Sequence, residues 1–291
     1  MNQFKISKLT KNTKENRNFT VKCYYMLMSI KPISKKRWQK AQEAEYADWT
    51  GDNLSFQSKM EKDEATLKYR EIFSNFGKNH NLDETSKIVD IGCNVTVVST
   101  LFGVGNLFGV DPLMDQLGNQ LGNEVDPSNF LSATGENVPF KSNKFDVVVC
   151  RNVIDHCFDP EKVLSSCNRI LKFDGKVLVA VYVYSNFIYI ARKIQEKIKI
   201  YQNIMHPFTF TEKSFINEFE KYFRLENVHV VHVGLSPWDF GKHHAVSKNN
   251  KLPKIQKVLI GLVMFVNAKV FRSKFFVKEV LLIGNKKSIY H

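Results

Sequence analysis

Apolar positions fall into two kinds of run along this chain. Short runs that are apolar on both faces read as strands buried in a parallel sheet. They are Ile88-Val89-Asp90-Ile91, Asn106 to Val110 ending at Asp111, Lys144 to Cys150 with no charge after Asp146, and Lys176 to Val183; Asn129 to Ala133 reads as a further short strand and Phe275 to Gly284 as the last one. Between them, apolar residues recur at helical spacing. Trp38, Ala41, Tyr46 and Trp49 mark one helix; Tyr69, Ile72, Phe73 and Phe76, with Gly77 just past the end, mark a stronger one. Met114 to Leu121 reads as a helix. Asp159-Pro160 then starts another, an acid at the cap and proline at the first position, whose stripe is Val163, Leu164, Cys167, Ile170 and Leu171. Asp174-Gly175 is expected to turn into the next strand. Thr211 caps a helix to Phe223, and Val228 to Val233 is a strand carrying His229 and His232. Alternating strands and helices predict an α/β protein with a mostly parallel sheet.

The stretch Lys87 to Asp111 organises the rest. Strand, turn, short helix, strand, acid is the opening unit of a nucleoside-binding domain. Gly92 lets the backbone approach a ligand closely, amides near Val97–Ser99 are placed to hold a carboxylate, and Asp111 is placed to accept from both ribose hydroxyls. A dinucleotide fits poorly, because its pyrophosphate needs G-x-G-x-x-G. Here Gly92 is followed by Cys93, Asn94, Val95 and Thr96, and Gly103 lies too far on. The turn suits a nucleoside cofactor without phosphates.

Length and composition allow one α/β domain with additions, or two small domains, across 291 residues. The expected division is a basic, disordered tail (1–35), a helical lid (36–80) and a main domain (81–291) with inserts at about 186–203 and 235–273. Five scattered cysteines without a C-x-x-C pair point to free thiols in a reducing compartment, against a disulfide frame or zinc site. The net charge of +13 is uneven: residues 1–40 and 241–291 each carry +10, which leaves −7 between them. Such ends point to an anionic partner that meets the ends and not the pocket. Inside 251–274, the apolar run Val258 to Val266 is bordered by lysines and Arg272, a pattern suited to peripheral association with an anionic membrane. No run of about 20 apolar residues occurs. A cytoplasmic protein, in part peripheral on the inner membrane face, is the expectation.

The stretches DIGC, GVDPLMD, GENVPFKSNKFDVVVCRNVIDHCFDPEKVLSSCNRILKFDGKVLVAV and HPFTFTEKSF, in this order, resemble class I S-adenosylmethionine-dependent methyltransferases of the small-molecule and glycan-cluster type. The resemblance covers roughly 85–235. It implies a Rossmann-like fold: a seven-stranded, mostly parallel sheet with an antiparallel last strand and helices on both faces. It also implies S-adenosyl-L-methionine as cofactor. Asp90, Gly92, Cys93 and Asn94 would shape its methionine end, Asp111-Pro112 would meet the ribose, Gly135-Glu136-Asn137 would pass near the adenine, and Arg151-Asn152 would form the rim facing the sulfonium. The chain departs from relatives at Asn94 and Thr96, where they carry glycines, and at Thr134, where many carry an acid.

Methyl transfer to a hydroxyl needs alignment and a base. His156 and Asp155 after the fourth strand and His206 at the mouth of the site are the candidates, with Asp155 as an orienting group for His156. His243-His244 is too isolated for a metal, and no metal is expected. The acceptor expected is a small molecule, saccharide or lipid-linked group, methylated on oxygen. A catalytically inactive binding subunit is the alternative. RNA methylation ranks below both: Arg151-Asn152-Val153-Ile154 stands where amino-methylating enzymes of nucleic acid carry N-P-P-aromatic, and nucleic acid is not the expected partner.

Overall fold

The computed structural model describes residues 31–50, 64–123, 125–197, 205–234, 265–266, 269 and 275–287. The basic tail up to residue 30 and most of the 235–274 insert, including nearly all of the 251–274 membrane segment, lie outside the described residues. So do residues 198–204 of the earlier insert.

Seven strands form one sheet in the order β3-β2-β1-β4-β5-β7-β6. They are β1 (Lys87–Ile91), β2 (Asn106–Asp111), β3 (Phe130–Ser132), β4 (Phe145–Arg151), β5 (Leu171–Tyr184), β6 (Phe223–Gly234) and β7 (Val277–Lys286). The pairs β1–β2, β1–β4, β2–β3 and β4–β5 are parallel, whereas β7 runs antiparallel to both β5 and β6. The expected fold class is the observed one. Strand order reverses between β1 and β4, and ligands of open α/β sheets bind beyond the carboxyl ends at such a switch.

Helices α1 (Lys35–Thr50) and α2 (Glu64–Asn79) precede the sheet. The α2 stripe behaves as its spacing requires: Tyr69, Ile72, Phe73 and Phe76 are buried with Val147, Val149, Leu178, Ala180, Leu281 and Ile283 from the sheet. Phe73 stacks on Phe102 with ring centroids 4.5 Å apart. Burial of each such ring contributes roughly 1.5–3 kcal/mol. Helix α2 continues past Gly77 to Asn79, because Gly77 has room inside the helix and Asn81 supplies the left-handed residue (φ 51°) that ends it.

Helix α3 (Met114–Leu117) is short and passes into a 3-10 turn at Gly118–Gln120. Helix α4 (Pro160–Ile170) begins as its sequence dictates, with Asp159 accepting from the amides of Glu161 and Lys162. Strand β5 starts at Leu171, earlier than expected, because Asp174-Gly175 is a bulge inside it. The pairing jumps from Phe145–Leu171 to Val147–Lys176. Helices α5 (Asn186–Lys197) and α6 (Glu212–Glu220) follow, the latter with a capping box between Thr211 and Ser214. Helix α6 stops before Phe223, which opens β6.

One charge stands in the middle of the sheet. Glu279 of β7 is fully buried, and its Oε1 accepts from Tyr69 Oη (2.8 Å), Arg151 Nε (3.1 Å) and Asn152 Nδ2 (3.1 Å). The Arg151 guanidinium also lies 4.6 Å from the Tyr69 ring centroid. A buried carboxylate costs several kcal/mol of desolvation unless so paired. This knot ties α2, β4 and β7 together, and its charges hold the Arg151 pKa above its ordinary value against the opposing effect of burial.

Candidate active site

The β1–β2 turn is built around two buried acids. Asp90 Oδ2 accepts from the Ser99 amide at 3.0 Å, and burial pushes the Asp90 pKa up to about 7. Asp111 accepts from the Leu113 amide on Oδ1 (2.8 Å) and the Asn94 amide on Oδ2 (3.0 Å). Burial pushes the Asp111 pKa up to about 6; its main-chain bonds pull the other way, and the nearby Glu45 charge adds to the rise. Backbone curvature in the turn is supplied by Gly92 (φ 68°), Asn94 (φ 49°) and, unusually, β-branched Val97 (φ 34°). Asn94 thus takes the left-handed conformation expected of a glycine there, whereas Thr96 does not need it.

The expected anion site near Val97–Ser99 is not formed. Only a 3-10 turn, Val98–Phe102, follows, and the amides of Ser99 and Thr100 already serve Asp90 and the Val97 carbonyl. Cys93 points into an apolar cluster with Val97, Met114, Val125 and Phe130.

Beyond β4 the chain turns through Asn152–Phe158 and brings three candidate residues together. His206 Nδ1 lies 2.9 Å from Asp155 Oδ2, both side chains 4% exposed. The His156 and His206 ring centroids are 4.1 Å apart. Asp155 therefore pairs with His206 more closely than with His156, whose Nε2 is 3.8 Å from Asp155 Oδ1. The partner of His156 is Glu45 of α1, with Oε2 3.0 Å from Nδ1, an ion pair whose alignment falls short of a hydrogen bond.

Charge sorts these groups. Burial works to raise Asp155, but His156 and His206 hold it down at about 2. Burial works to lower His156, yet the charges of Glu45 and Asp155 raise it to about 9. His206 is lowered, first by burial and then by the charge of His156, despite its bond to Asp155. An ionised carboxylate only accepts, so Nδ1 of His206 carries the proton and Nε2 the lone pair. At neutral pH, His156 is the cation and His206 the base.

The other candidates have structural commitments. Arg151 and Asn152 turn their side chains to Glu279. Gly135 packs on Ile91 and Val163, where a Cβ would sit 3.2 Å from both. Glu136 Oε1 accepts from the Phe158 and Asp159 amides (2.6 and 3.0 Å), and Ser166 Oγ donates to its carbonyl. These residues hold the entry to α4. Gly135–Asn137 form one 3-10 turn, which Asn137 ends, and the Pro112 carbonyl is 3.5 Å from Ser132 Oγ.

Two residues of weight are absent from the sequence reading. Glu279 had a signal, as the one acid of residues 241–291, standing with Lys278 inside an otherwise apolar run. Glu45 had none.

A family model described as "Methyltransferase domain" matches residues 89–179, from β1 into β5. Over that stretch the chain is similar to the methyltransferase family, and its fold is the Rossmann-like one of the solved methyltransferases below. Among curated relatives of this family, an uncharacterized methyltransferase of Bacillus subtilis, YcgJ, is 27% identical over 132 residues, 43% of this chain and 52% of its own length. The ubiquinone biosynthesis O-methyltransferase of Glaesserella parasuis is 26% identical over 106 residues, 32% of this chain and 44% of its own. The chain thus spans about half the length of these relatives. The solved structure of YcgJ superposes with a TM-score of 0.54 at 16% identity, covering 75% of this chain and 98% of YcgJ. A SAM-dependent methyltransferase of Thermotoga maritima superposes with a TM-score of 0.51 at 15% identity, covering 86% of this chain and all of that one. No helix among the described residues is long and apolar enough to cross a membrane.

The residues present fit the methyltransferase cofactor, S-adenosylmethionine, at its ribose. Each Asp111 oxygen carries one main-chain bond and keeps accepting capacity for a hydroxyl. The fit is tighter at the methionine end. A Cβ on Gly92 would lie 2.3 Å from Val153 Cγ2, so the β1 and β4 loops close on one another and only glycine is tolerated there.

Proposed function

We propose that the chain methylates an oxygen of a small-molecule, saccharide or lipid-linked acceptor, with His206 as general base. The observation that carries this reading is the buried Asp155–His206 pair, which fixes the tautomer of a lowered-pKa imidazole beyond the carboxyl end of β4. Gly92, Asn94 and Asp111 would hold the cofactor. Bound there, S-adenosylmethionine supplies a methyl group on a sulfonium, the electrophile of an in-line displacement. His206 Nε2 takes the acceptor's hydroxyl proton, and Asp155 stabilises the imidazolium that forms. Glu45 keeps His156 charged, and that charge in turn keeps His206 neutral until it is needed.

A second reading, a binding subunit without turnover, is favoured by the closeness of Val153 to Gly92. Calorimetric titration with S-adenosylmethionine separates the two. Binding together with release of S-adenosylhomocysteine on adding hydroxylated acceptors supports the enzyme. Absence of binding to folded protein supports the subunit. We also propose that the basic borders of 251–274 bring the site to anionic lipid; no co-sedimentation with anionic vesicles at low salt would remove that element.

A further inference from the structure

Asp155, His156 and His206 offer one ligand atom each within 4.8 Å of one another, all three buried. The arrangement is more ordered than a chance cluster. Each imidazole turns Nδ1 toward a carboxylate, His156 to Glu45 and His206 to Asp155. A metal-ligating histidine is usually fixed in this way, its second nitrogen held by a carboxylate so that Nε2 presents a lone pair.

A separate observation points to a ligand. Asp155 Oδ1 has no hydrogen-bond partner, although the residue is only 3% exposed. A buried carboxylate oxygen left so bears its desolvation penalty without compensation. It lies 3.8 Å from His156 Nε2. Two ligands that each sit about 2.0–2.2 Å from one ion are roughly 3–4 Å apart. The gap between these atoms has the width of a coordinated cation.

We infer that Asp155, His156 and His206 form a site for one divalent transition-metal cation, with Glu45 as the outer carboxylate that orients His156. Two imidazoles and one carboxylate are a borderline donor set that suits Zn²⁺, Mn²⁺, Fe²⁺ or Co²⁺ better than Mg²⁺ or Ca²⁺. With both rings neutral, Glu45 and Asp155 bring two negative charges that a dication balances. On binding, the ion takes the place of the His156 ring proton, which leaves to water. Three protein ligands leave open positions, which an acceptor oxygen would fill. The inference deepens the proposed methyl transfer and rests on it for the role of the ion. In the loaded state His206 would be a ligand, and the ion would lower the pKa of the bound hydroxyl so that its proton leaves to water, where in the metal-free protein His206 accepts it.

The test is binding, not turnover. Full-length protein stripped with a chelator is titrated calorimetrically with Zn²⁺, Mn²⁺ and Mg²⁺, and the Co²⁺ form is read by its visible absorption. One equivalent of Zn²⁺ or Mn²⁺ is expected, with Mg²⁺ at least about 100-fold weaker. Asp155→Asn and His206→Ala should each weaken binding at least about 100-fold, and Glu45→Gln by about 10- to 100-fold. Thermal melts confirm that each variant is folded, and the near-isosteric Asp155→Asn guards against collapse of the loop. No stoichiometric binding to the unmodified protein overturns the inference, as does equal binding by the folded variants. Titration with S-adenosylmethionine on the same samples keeps the readings apart. Cation binding without cofactor binding rejects the methyltransferase activity and keeps the site; cofactor binding with no stoichiometric cation binding rejects the site alone.

Discussion

Asp111 closes β2 and Asp155 follows β4, the two strands that flank β1. Both carboxylates are buried beyond strand ends, and burial alone would raise both pKa values. Only Asp111 is raised, to about 6, whereas Asp155 is held at about 2. The difference lies in what each oxygen faces. Asp111 meets two neutral peptide amides and a nearby carboxylate, which leaves it with accepting capacity suited to a neutral diol. Asp155 meets two imidazoles and is committed to positive charge. Comparable burial thus yields one carboxylate suited to binding and one suited to proton chemistry under the proposed function, and the partners decide which.

The strongest test of that contrast removes the partner of Asp155. His206→Ala should lower kcat by about 10²- to 10⁴-fold, typical of a lost general base, and leave the cofactor Kd within a few-fold. Unchanged kcat would take proton transfer away from this residue. Next comes Glu279, another buried carboxylate, paired here with a guanidinium. Glu279→Leu leaves the Arg151 charge without a partner and should destabilise by about 3–5 kcal/mol in denaturant unfolding. The double change with Arg151→Met should recover much of that loss; no recovery would mean the knot is not electrostatic. On the binding side, Asp111→Ala should weaken S-adenosylmethionine by about 100-fold, since two hydrogen bonds to an ionised acceptor disappear. Binding unchanged by calorimetry would place the ribose elsewhere.

The smallest effect is on stability against pH. The folded-state pKa of His156, about 9, exceeds its ordinary value of 6.5. The bound proton therefore favours the fold, fully below about pH 6.5, and that stabilisation is lost as pH rises through about 9. Asp155 shows the opposite sign: its contribution is present above about pH 4 and lost as pH falls toward 2. Glu45→Gln should lower Tm below pH 6.5 by a few degrees, with the difference from the unmodified protein closing above pH 9. A difference constant with pH would show that Glu45 does not charge His156.

Much of this frame was legible in the sequence, for local reasons. β1, β2 and β4 are apolar on both faces, and Asp159-Pro160 fixes a helix start through its own chemistry. The bulge at Asp174-Gly175 was not legible, because the residues that spell a turn also spell a break within a strand; only the packing of Gly175 against Leu171 and the Asp146 carbonyl settles it. In the site, Asp155, His156 and His206 could be named from the stretches that carry them, but their pairing could not. Asp155 selects His206 across 51 positions and His156 selects Glu45 across 111, contacts that no local pattern encodes. Arg151 and Asn152 stand at the expected strand end, yet their side chains answer to Glu279, far along the chain.

The place of β7 bears on how such a chain is made. It is the last of the seven strands to leave the ribosome, yet it sits inside the sheet between β5 and β6. Until it arrives, two strand edges stand open in the nascent protein, and Arg151 and Tyr69 wait without their acid. Strands β1 to β5 can pair as they emerge, but the sheet is completed by its final entrant. A nascent chain stalled before residue 277 would therefore be a client for chaperones, with one half ordered and the other offering bare edges to neighbouring chains.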